Sequence, residues 1–226
     1  MRLRWLADSH AALLKLSRSV PPVATKRYTG PLAVILKQHL RIRIMTNEDI
    51  LNGIGKFSDL DCELFEKFST RQKLNKDEFI LKQGEICNSF HFVIEGSFIQ
   101  YQIKDIDEKI IDLHLGNEWM FNQDSLTEQI PSKTNIKAYS NSEILTLTLN
   151  GFHFLCSKSQ TFLQFAKILN QNKHRTSLFD SSLNPLEKYE FINKIRPELT
   201  NTFPLKLIAS YLKLTPETLS RVRATF

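Results

Sequence analysis

The spacing of apolar residues changes twice along this chain, from a helical period to a period of two and back again. Between Phe90 and Leu149, apolar and polar residues alternate in short runs that turn residues separate. The runs are Phe90 to Ile94, Phe98 to Ile103, Ile111 to Leu115, Asn135 to Tyr139 and Leu145 to Leu149. Short strands at this density predict a small antiparallel roll or barrel rather than a parallel sheet.

Helical spacing flanks this alternating region on both sides. Before it, apolar residues recur every three or four positions from Ile50 to Phe68, and Gly53 and Gly55 interrupt the pattern. After it, an apolar stripe predicts a long helix over residues 159–183. The stripe consists of Phe162, Phe165, Ala166 and Leu169. It fits a contact between two copies of the chain, and it fits equally well a helix packed on its own roll.

Another helix is predicted after this stripe. Asn184-Pro185 supplies a cap residue and a proline for its first turn. Tyr189, Ile192 and Ile195 would share one face, and Arg196-Pro197 would end the helix.

The last two dozen residues predict a helix-turn-helix. Ile208 and Leu212 are four apart on a first helix, and Leu219 and Val222 are three apart on a second. Small Ala209 would lie where the helices cross. The second helix and its cap carry residue types that hydrogen-bond base edges and phosphates: Thr215, Pro216, Glu217, Thr218, Ser220, Arg221 and Arg223. On spacing alone, a two-helix corner that ends a globular domain has the same pattern.

The positive charge of the chain is concentrated in its first 44 residues. The 226-residue chain has a net charge of +6, yet residues 1–44 hold nine basic residues and one acid, and the remainder is therefore net −2. We expect a leader over residues 1–44 that is non-native or disordered, from a mis-set start, vector sequence or read-through. The functional alternative is a targeting peptide or a basic DNA-binding arm. No run approaches the roughly 20 apolar residues that a membrane span needs, so we expect a cytoplasmic protein with no membrane partner.

Cysteine and histidine residues are too scattered to predict a metal centre. Cys62, Cys87 and Cys156 show no paired spacing, so reduced, partly buried thiols are expected and an iron–sulfur cluster is not. None of the six histidines pairs with another at metal-ligand spacing. Recognisable catalytic motifs are also absent from the sequence, and we expect the protein not to be an enzyme.

The order of these elements resembles the family of the bacterial cyclic-AMP receptor protein and the fumarate-nitrate regulator. Lys82-Gln-Gly-Glu85 and Phe92-Val-Ile-Glu-Gly96 look like its roll hairpins, and Phe203 to Arg223 is similar to its helix-turn-helix. The resemblance implies an α+β fold: an N-terminal antiparallel β-roll of the cyclic-nucleotide-binding, double-stranded β-helix type, a long dimerisation helix and a C-terminal winged helix-turn-helix. The implied domains are residues 45–158, 159–183 and 184–226. The implied partners are double-stranded promoter DNA, a second copy of the chain and RNA polymerase.

The sequence departs from this family in its helix-turn-helix. Lys213 stands at the turn where the family usually has glycine, at a cost of about 1 kcal/mol for a left-handed backbone. Glu217 and Arg221 align with the family's base-reading residues, but Pro216 replaces its other reading arginine. The operator sequence should therefore differ.

The ligand cassette departs further. Asn122-Gln123 stands where the family has Gly-Glu for the ribose, and Lys133-Thr134 where it has Arg-Thr for the cyclic phosphate. These four residues are the candidate effector pocket, and we do not expect cyclic AMP to bind. Trp119, Met120 and Phe121 either line an apolar pocket or pack in the core.

The sequence therefore predicts a dimeric, sequence-specific DNA-binding transcription regulator whose roll senses an unknown effector. The alternative is a small-molecule-sensing or interaction module with a vestigial helix-turn-helix, because the chain stops three residues beyond Arg223.

Overall fold

Two four-stranded antiparallel sheets form the centre of the molecule. The computed structural model describes residues 45–169 and 183–225. The strands are β1 (Ser69–Leu74), β2 (Phe79–Leu81), β3 (Ser89–Glu95), β4 (Ser97–Lys104), β5 (Asp107–Leu115), β6 (Glu118–Met120), β7 (Asn135–Ala138) and β8 (Ser142–Thr148). One sheet has the order β1-β8-β3-β6 and the other β2-β7-β4-β5. The predicted antiparallel roll is confirmed.

Helices precede, interrupt and follow the roll. They are α1 (Asn47–Asn52), α2 (Asp59–Phe68), α3 (Gln123–Glu128), α4 (Leu149–Lys158), a 3₁₀ helix (Gln160–Phe165), α5 (Pro185–Ile195), α6 (Glu198–Thr202), α7 (Leu205–Tyr211) and α8 (Pro216–Ala224). Residues 183–225 contain helices and no strand, so the described part of the chain holds no wing. None of the helices in the described ranges is long and apolar enough to cross a membrane.

The hairpin between β3 and β4 depends on glycine at its turn. Gly96 has φ +97°, a left-handed conformation that favours glycine, and Gly84 before β3 has φ +93°. Ser97 pairs with Leu115 and Phe98 with Ala138, so β4 holds β5 on one side and β7 on the other. The glycine turns expected from the sequence are confirmed.

The main hydrophobic core lies within the roll and against the helices around it. Aromatic residues from six segments meet there, and Phe165 contacts the rings of Phe57, Phe65, Phe90, Trp119, Phe152 and Phe162 at centroid distances of 5.3 to 6.5 Å. Trp119, Met120 and Phe121 are all buried, as core packing requires. Burial of these rings is the main apolar stabilisation of the roll.

The segment predicted to begin the long dimer helix starts as a 3₁₀ helix rather than an α-helix. Residues 160–165 form a 3₁₀ helix, residues 166–169 are α-helical, and residues 170–182 lie outside the described residues. Phe162, Phe165 and Ile168 recur every third position and are 0%, 1% and 2% exposed. A 3₁₀ helix has three residues per turn, so this spacing turns both phenylalanines into the core of their own roll. The assignment of Phe162 and Phe165 to a dimer contact is therefore wrong.

Ala166 and Leu169 of the same predicted stripe are less buried than the phenylalanines. Ala166 is exposed, and Leu169 is half-buried against the core of the roll. Between the two buried phenylalanines, Leu163 is 60% exposed. The exposed apolar residues of this segment are thus Ala166, within the predicted stripe, and Leu163, outside it.

A second hydrophobic cluster joins the C-terminal helices to the roll. The strands β4 and β5 contribute Ile99, Tyr101, Ile110, Leu113 and Leu115, and the helices contribute Tyr189, Ile192, Leu199, Phe203, Ile208, Ala209, Tyr211, Leu212 and Leu219. The alternating apolar residues of these two strands therefore face the helices rather than the interior of the roll. Residues 97–101 of β4 and 110–115 of β5 are therefore covered on both faces, and the far ends of the two strands are exposed.

The helix α5 begins and ends where the sequence predicts. The side chain of Asn184 accepts a hydrogen bond from the Glu187 amide, and the Glu187 carboxylate accepts one from the Asn184 amide. Arg196 ends the helix. Tyr189 and Ile192 are buried, but Ile195 is 56% exposed. Ile195, which was predicted to share their face, is outside the second cluster.

Candidate functional site

A polar cavity of about 300 Å³ lies between β4, β5 and the segment that runs from the end of β6 to the start of β7. Its lining residues are Gln100, Gln102, Ile111, Asp112, Phe121, Asn122, Gln123, Asp124, Ser125, Ile130, Pro131, Lys133 and Thr134. The structure therefore brings together all four residues that the sequence indicates as an effector pocket: Asn122, Gln123, Lys133 and Thr134. Asp112, Asp124 and Lys133 are the charged residues among these lining residues.

The Thr134 hydroxyl is the centre of the hydrogen bonds in this cavity. Asn122 caps α3, since its Oδ1 accepts from the Ser125 amide at 2.9 Å, and its Nδ2 donates to Thr134 Oγ1 at 2.8 Å. Gln100 Nε2 donates to the same oxygen at 3.0 Å. Both lone pairs of the hydroxyl are thus used, and its proton is left for Ser132 Oγ at 3.4 Å or for a ligand.

The other two predicted pocket residues lie nearer to solvent. Gln123 is half-buried at the first position of α3, and Lys133 is exposed. A buried amide and hydroxyl pair therefore forms the floor of the cavity, and the lysine ammonium lies towards its mouth. Such a site offers hydrogen bonds to a ligand and one mobile positive charge.

Gln100 and Asp112 are cavity residues that the sequence analysis missed. They face each other across β4 and β5, and they are 7% and 3% exposed. Gln100 Oε1 also lies 3.2 Å from His114 Nε2, and His114 Nδ1 lies 4.0 Å from Asp112 Oδ2. Alternation with apolar residues places them on one face of each strand, but the sequence alone does not show that this face points into the roll.

His91 is a second buried polar group of the roll. Its Nδ1 lies 3.0 Å from Thr146 Oγ1, and burial lowers its pKa to about 4. It lines a separate cavity of about 250 Å³ with Cys87 and Glu85. The imidazole is therefore neutral at neutral pH.

The cysteines are part of the packing. Cys87 is buried, Cys62 and Cys156 are half-buried, and burial raises the pKa of each thiol. Within the described ranges, no three histidine, cysteine or acidic side chains come close enough to hold a metal ion.

The helices α7 and α8, hereafter the terminal helix pair, pack as their spacing predicts. Ala209 is fully buried beside Ile208, and Leu219 of the second helix is fully buried as well. Lys213 has φ +56°, so the turn takes the left-handed conformation expected at this position. The spacing prediction for two helices and a tight turn is confirmed.

One side of α8 is exposed and carries most of the residues predicted to contact nucleic acid. Thr215, Glu217, Ser220, Arg221 and Arg223 are exposed, and Pro216 and Thr218 are half-buried. Thr215 has a structural role too, because its Oγ1 accepts from the Thr218 amide at 3.1 Å and caps the helix. Glu217 in the first turn and the two arginines in the last turn complement the helix dipole.

Comparison with known proteins identifies the roll. Residues 71–159 match the family model of the cyclic nucleotide-binding domain. The match contains every residue that lines the polar cavity and ends before α5. A search of curated proteins found no match.

Solved structures share the cyclic nucleotide-binding fold and extend beyond it. FixK2 from Bradyrhizobium japonicum is 17% identical, with 70% of this chain and 83% of that chain covered and a TM-score of 0.56. A CooA mutant from Carboxydothermus hydrogenoformans is 16% identical, with 83% and 86% covered and a TM-score of 0.57. The c-di-GMP responsive global regulator CLP from Xanthomonas campestris is 15% identical, with 74% and 91% covered and a TM-score of 0.53. At these identities the likeness establishes a shared fold.

Proposed function

We propose that this protein is a dimeric, sequence-specific DNA-binding transcription regulator, and that its terminal helix pair is a helix-turn-helix. The observation that carries the proposal is the two-sided character of α8. Its apolar side is buried through Leu219, while Arg221, Arg223 and Glu217 face solvent. A helix seated in this way can enter the DNA major groove without any loss of its own packing.

The exposed residues suit base and phosphate recognition. Arg221 can donate two hydrogen bonds to the O6 and N7 atoms of guanine, and Glu217 can accept from the N4 amino group of cytosine. Ser220 and Arg223 can bind phosphate or neighbouring bases. Two helix pairs related by a two-fold axis would read half-sites about 34 Å apart, which is the reason to propose a dimer. CLP is a global regulator, and 91% of that chain is covered, which supports this function by analogy.

We propose that the polar cavity binds a small effector other than cyclic AMP. Among its charged lining residues, Asp112 is paired with Arg196, and Asp124 and Lys133 are both exposed, so the cavity offers no buried cation to a cyclic phosphate. Asn122 is held by Ser125 and Thr134 and offers no carboxylate to a ribose. Amide and hydroxyl groups instead favour a polar ligand that hydrogen-bonds to them.

Selection of bound DNA from a random library tests the DNA-binding proposal. The full chain and a version without residues 1–44 should each enrich a two-fold symmetric site. In gel shifts on that site, Arg221→Ala should weaken binding by roughly 5- to 150-fold, which corresponds to the loss of one arginine–guanine contact. Lys206→Ala, which removes an exposed charge from α7, is the matched control and should weaken binding much less.

The proposal fails if no sequence is enriched at low salt, or if Arg221→Ala binds every sequence as the unchanged protein does. A chain that binds a metabolite in a thermal-shift screen and binds no DNA would instead be a sensing or interaction module. The same screen should show no stabilisation by cyclic AMP, and a clear shift with that nucleotide would overturn our assignment of the cavity.

A further inference from the structure

Arg196 connects the roll to the C-terminal helices. Its Nη2 donates to the two carboxylate oxygens of Glu118 at 2.8 and 2.7 Å and to the backbone oxygen of Leu113. Its Nη1 lies 3.5 Å from Asp112 Oδ1 and donates to the Tyr211 hydroxyl of α7 at 3.2 Å. One guanidinium at the end of α5 therefore holds two strands and the terminal helix pair together.

The same guanidinium is joined to the polar cavity by a row of side chains. Thr134 accepts from Gln100, Gln100 meets His114, His114 faces Asp112, and Asp112 faces Arg196. Thr134, Gln100, His114, Asp112 and Arg196 are hereafter the polar row. Three of them line the cavity, and Arg196 is the only one of the five in a C-terminal helical segment.

Burial makes this row sensitive to a ligand. Its first four members are at most 7% exposed, so water cannot readily replace a hydrogen bond that one of them gives up. A ligand that takes the Thr134 hydroxyl or the Gln100 amide must therefore change the next contact in the row. Arg196 Nε is buried without a hydrogen-bond partner among the described residues, so the present arrangement leaves one donor unsatisfied.

We propose that Arg196 is the positioning residue through which occupancy of the polar cavity reaches the terminal helix pair. The proposal rests on the proposed function in one respect, that the cavity is the effector site. A ligand bound at Thr134 and Gln100 shifts His114 and Asp112 and so changes the ion pair between Asp112 and Arg196. Because Arg196 also donates to Tyr211, this changes the stability of α7 on the roll. The strand β5 supports this route, because it carries Asp112 and His114 and also donates from the Ile110 amide to Ser210 Oγ of α7 at 3.0 Å.

Hydrogen exchange of the full chain, followed by mass spectrometry, tests the route without a ligand or DNA. Thr134→Val removes the hydroxyl at the far end of the row, and Asp112→Asn neutralises the partner of Arg196. Each change should raise exchange in Leu205–Tyr211 and Pro216–Ala224 by roughly three- to tenfold, since Thr134→Val removes hydrogen bonds from the buried row and Asp112→Asn removes its ion pair with Arg196. Unchanged exchange in both segments would overturn the proposal.

Matched variants separate this effect from a general loss of stability. Asp124→Asn makes the same aspartate change at another residue of the cavity, outside the row, and Thr127→Val makes the same threonine change at an exposed position of α3. Neither control should change exchange in the terminal helix pair. If Thr134→Val raised exchange in β1 and β8 as much as in the helix pair, the specific route would be refuted.

Arg196→Lys tests whether the route runs through the guanidinium. Lysine keeps the charge but cannot make the same set of directed hydrogen bonds. In the Arg196→Lys background, Thr134→Val should lose most of its effect on the terminal helix pair, and an effect of undiminished size would contradict the proposal. Arg71→Lys, on β1, is the matched background in which the effect should persist.

These outcomes are distinguishable from failure of the proposed function. DNA selection without enrichment would refute DNA binding and leave the exchange results unaffected. Absence of coupled exchange would refute the role of Arg196 and leave DNA recognition by Arg221 untouched.

Discussion

At the scale of single residues, His91 is a buried histidine, and an exposed histidine ordinarily has a pKa near 6.5. In the folded protein its pKa is lowered from 6.5 to about 4 because burial disfavours the charged imidazolium. As the pH falls below 6.5, His91 becomes protonated in the unfolded chain but stays neutral in the folded protein. The free energy of unfolding therefore falls by about 3 kcal/mol in total between about pH 6.5 and pH 4.

We expect His91→Asn to flatten this part of the stability profile. Urea unfolding at a series of pH values should show a smaller loss between pH 6.5 and 4 in the variant than in the unchanged protein. His153→Asn, which changes an exposed histidine in the same way, should keep the full slope. Parallel profiles for all three proteins would show that His91 does not carry the acid sensitivity.

Gly96 and Gly84 form a matched pair of left-handed residues. Their φ angles are +97° and +93°, but a Cβ at Gly96 would lie 2.7 Å from Ser142 Cα, whereas a Cβ at Gly84 meets nothing within 4 Å. Gly84→Ala should lower the free energy of unfolding by about 1 kcal/mol. Gly96→Ala should cost roughly 1–3 kcal/mol more, because the neighbouring backbone must move. Equilibrium urea unfolding measures both, and equal losses would contradict the steric argument.

Individual residues were predictable where local chemistry decides their place. The cap at Asn184 follows from its own side chain and the proline beside it, and the left-handed turn at Lys213 follows from the family resemblance at that position. Arg196 was recognised only as a helix end. Its contacts with Glu118 and Asp112 join residues about 80 positions apart, and no local pattern encodes such a pairing.

At the scale of elements, the N-terminus of α8 depends on one hydroxyl. Thr215 Oγ1 accepts from the Thr218 amide at 3.1 Å, and that amide has no partner within the helix. Thr215→Ala should cost about 1 kcal/mol of stability, while Thr215→Ser should keep most of it. Thermal unfolding compares the two variants, and equal losses in both would indicate that the methyl group rather than the cap is what matters.

Strands were predictable when one alternating run covered most of their length. The strands β3, β4 and β8 have such runs, but β1 has the mostly polar sequence Ser-Thr-Arg-Gln-Lys-Leu, and β2 and β6 are three residues long. The strand β1 forms because its backbone pairs with β8 over six residues. The pattern of its own side chains does not predict this long-range pairing. The 3₁₀ helix was missed for a related reason, since a spacing of three also occurs on α-helices.

At the scale of the whole molecule, a helix that packs on its own roll and a helix that joins two copies of the chain predict different effects of mutation on stability. Phe165 is 1% exposed and lies among six other rings, whereas Leu163 is 60% exposed two positions earlier. Phe165→Ala should lower the free energy of unfolding by about 3–5 kcal/mol at every protein concentration. Leu163→Ala should cost less than about 1 kcal/mol in the monomer, and more at high concentration if that surface joins two copies. Urea unfolding at two concentrations distinguishes these cases.

The candidate site was predictable in part because the four residues compared with the family cassette do line one cavity. Gln100 and Asp112 were not predicted, since their strands read as ordinary alternation with one face inward. Only the packing of the C-terminal helices on Ile99 and Leu113 shows that the apolar face points outward and the polar face into the roll. That arrangement depends on segments about 100 residues apart.

The roll and the C-terminal helices share one hydrophobic cluster, because the outer face of β4 and β5 packs against these helices. A fragment cut before Asn184 would expose Ile99, Tyr101 and Leu113 together, an apolar patch that invites aggregation. A fragment that begins there would lose the surface against which Tyr189 and Ile192 are buried. Residues 45–225 should therefore melt in one cooperative calorimetric transition, and residues 184–225 should not fold as an autonomous module.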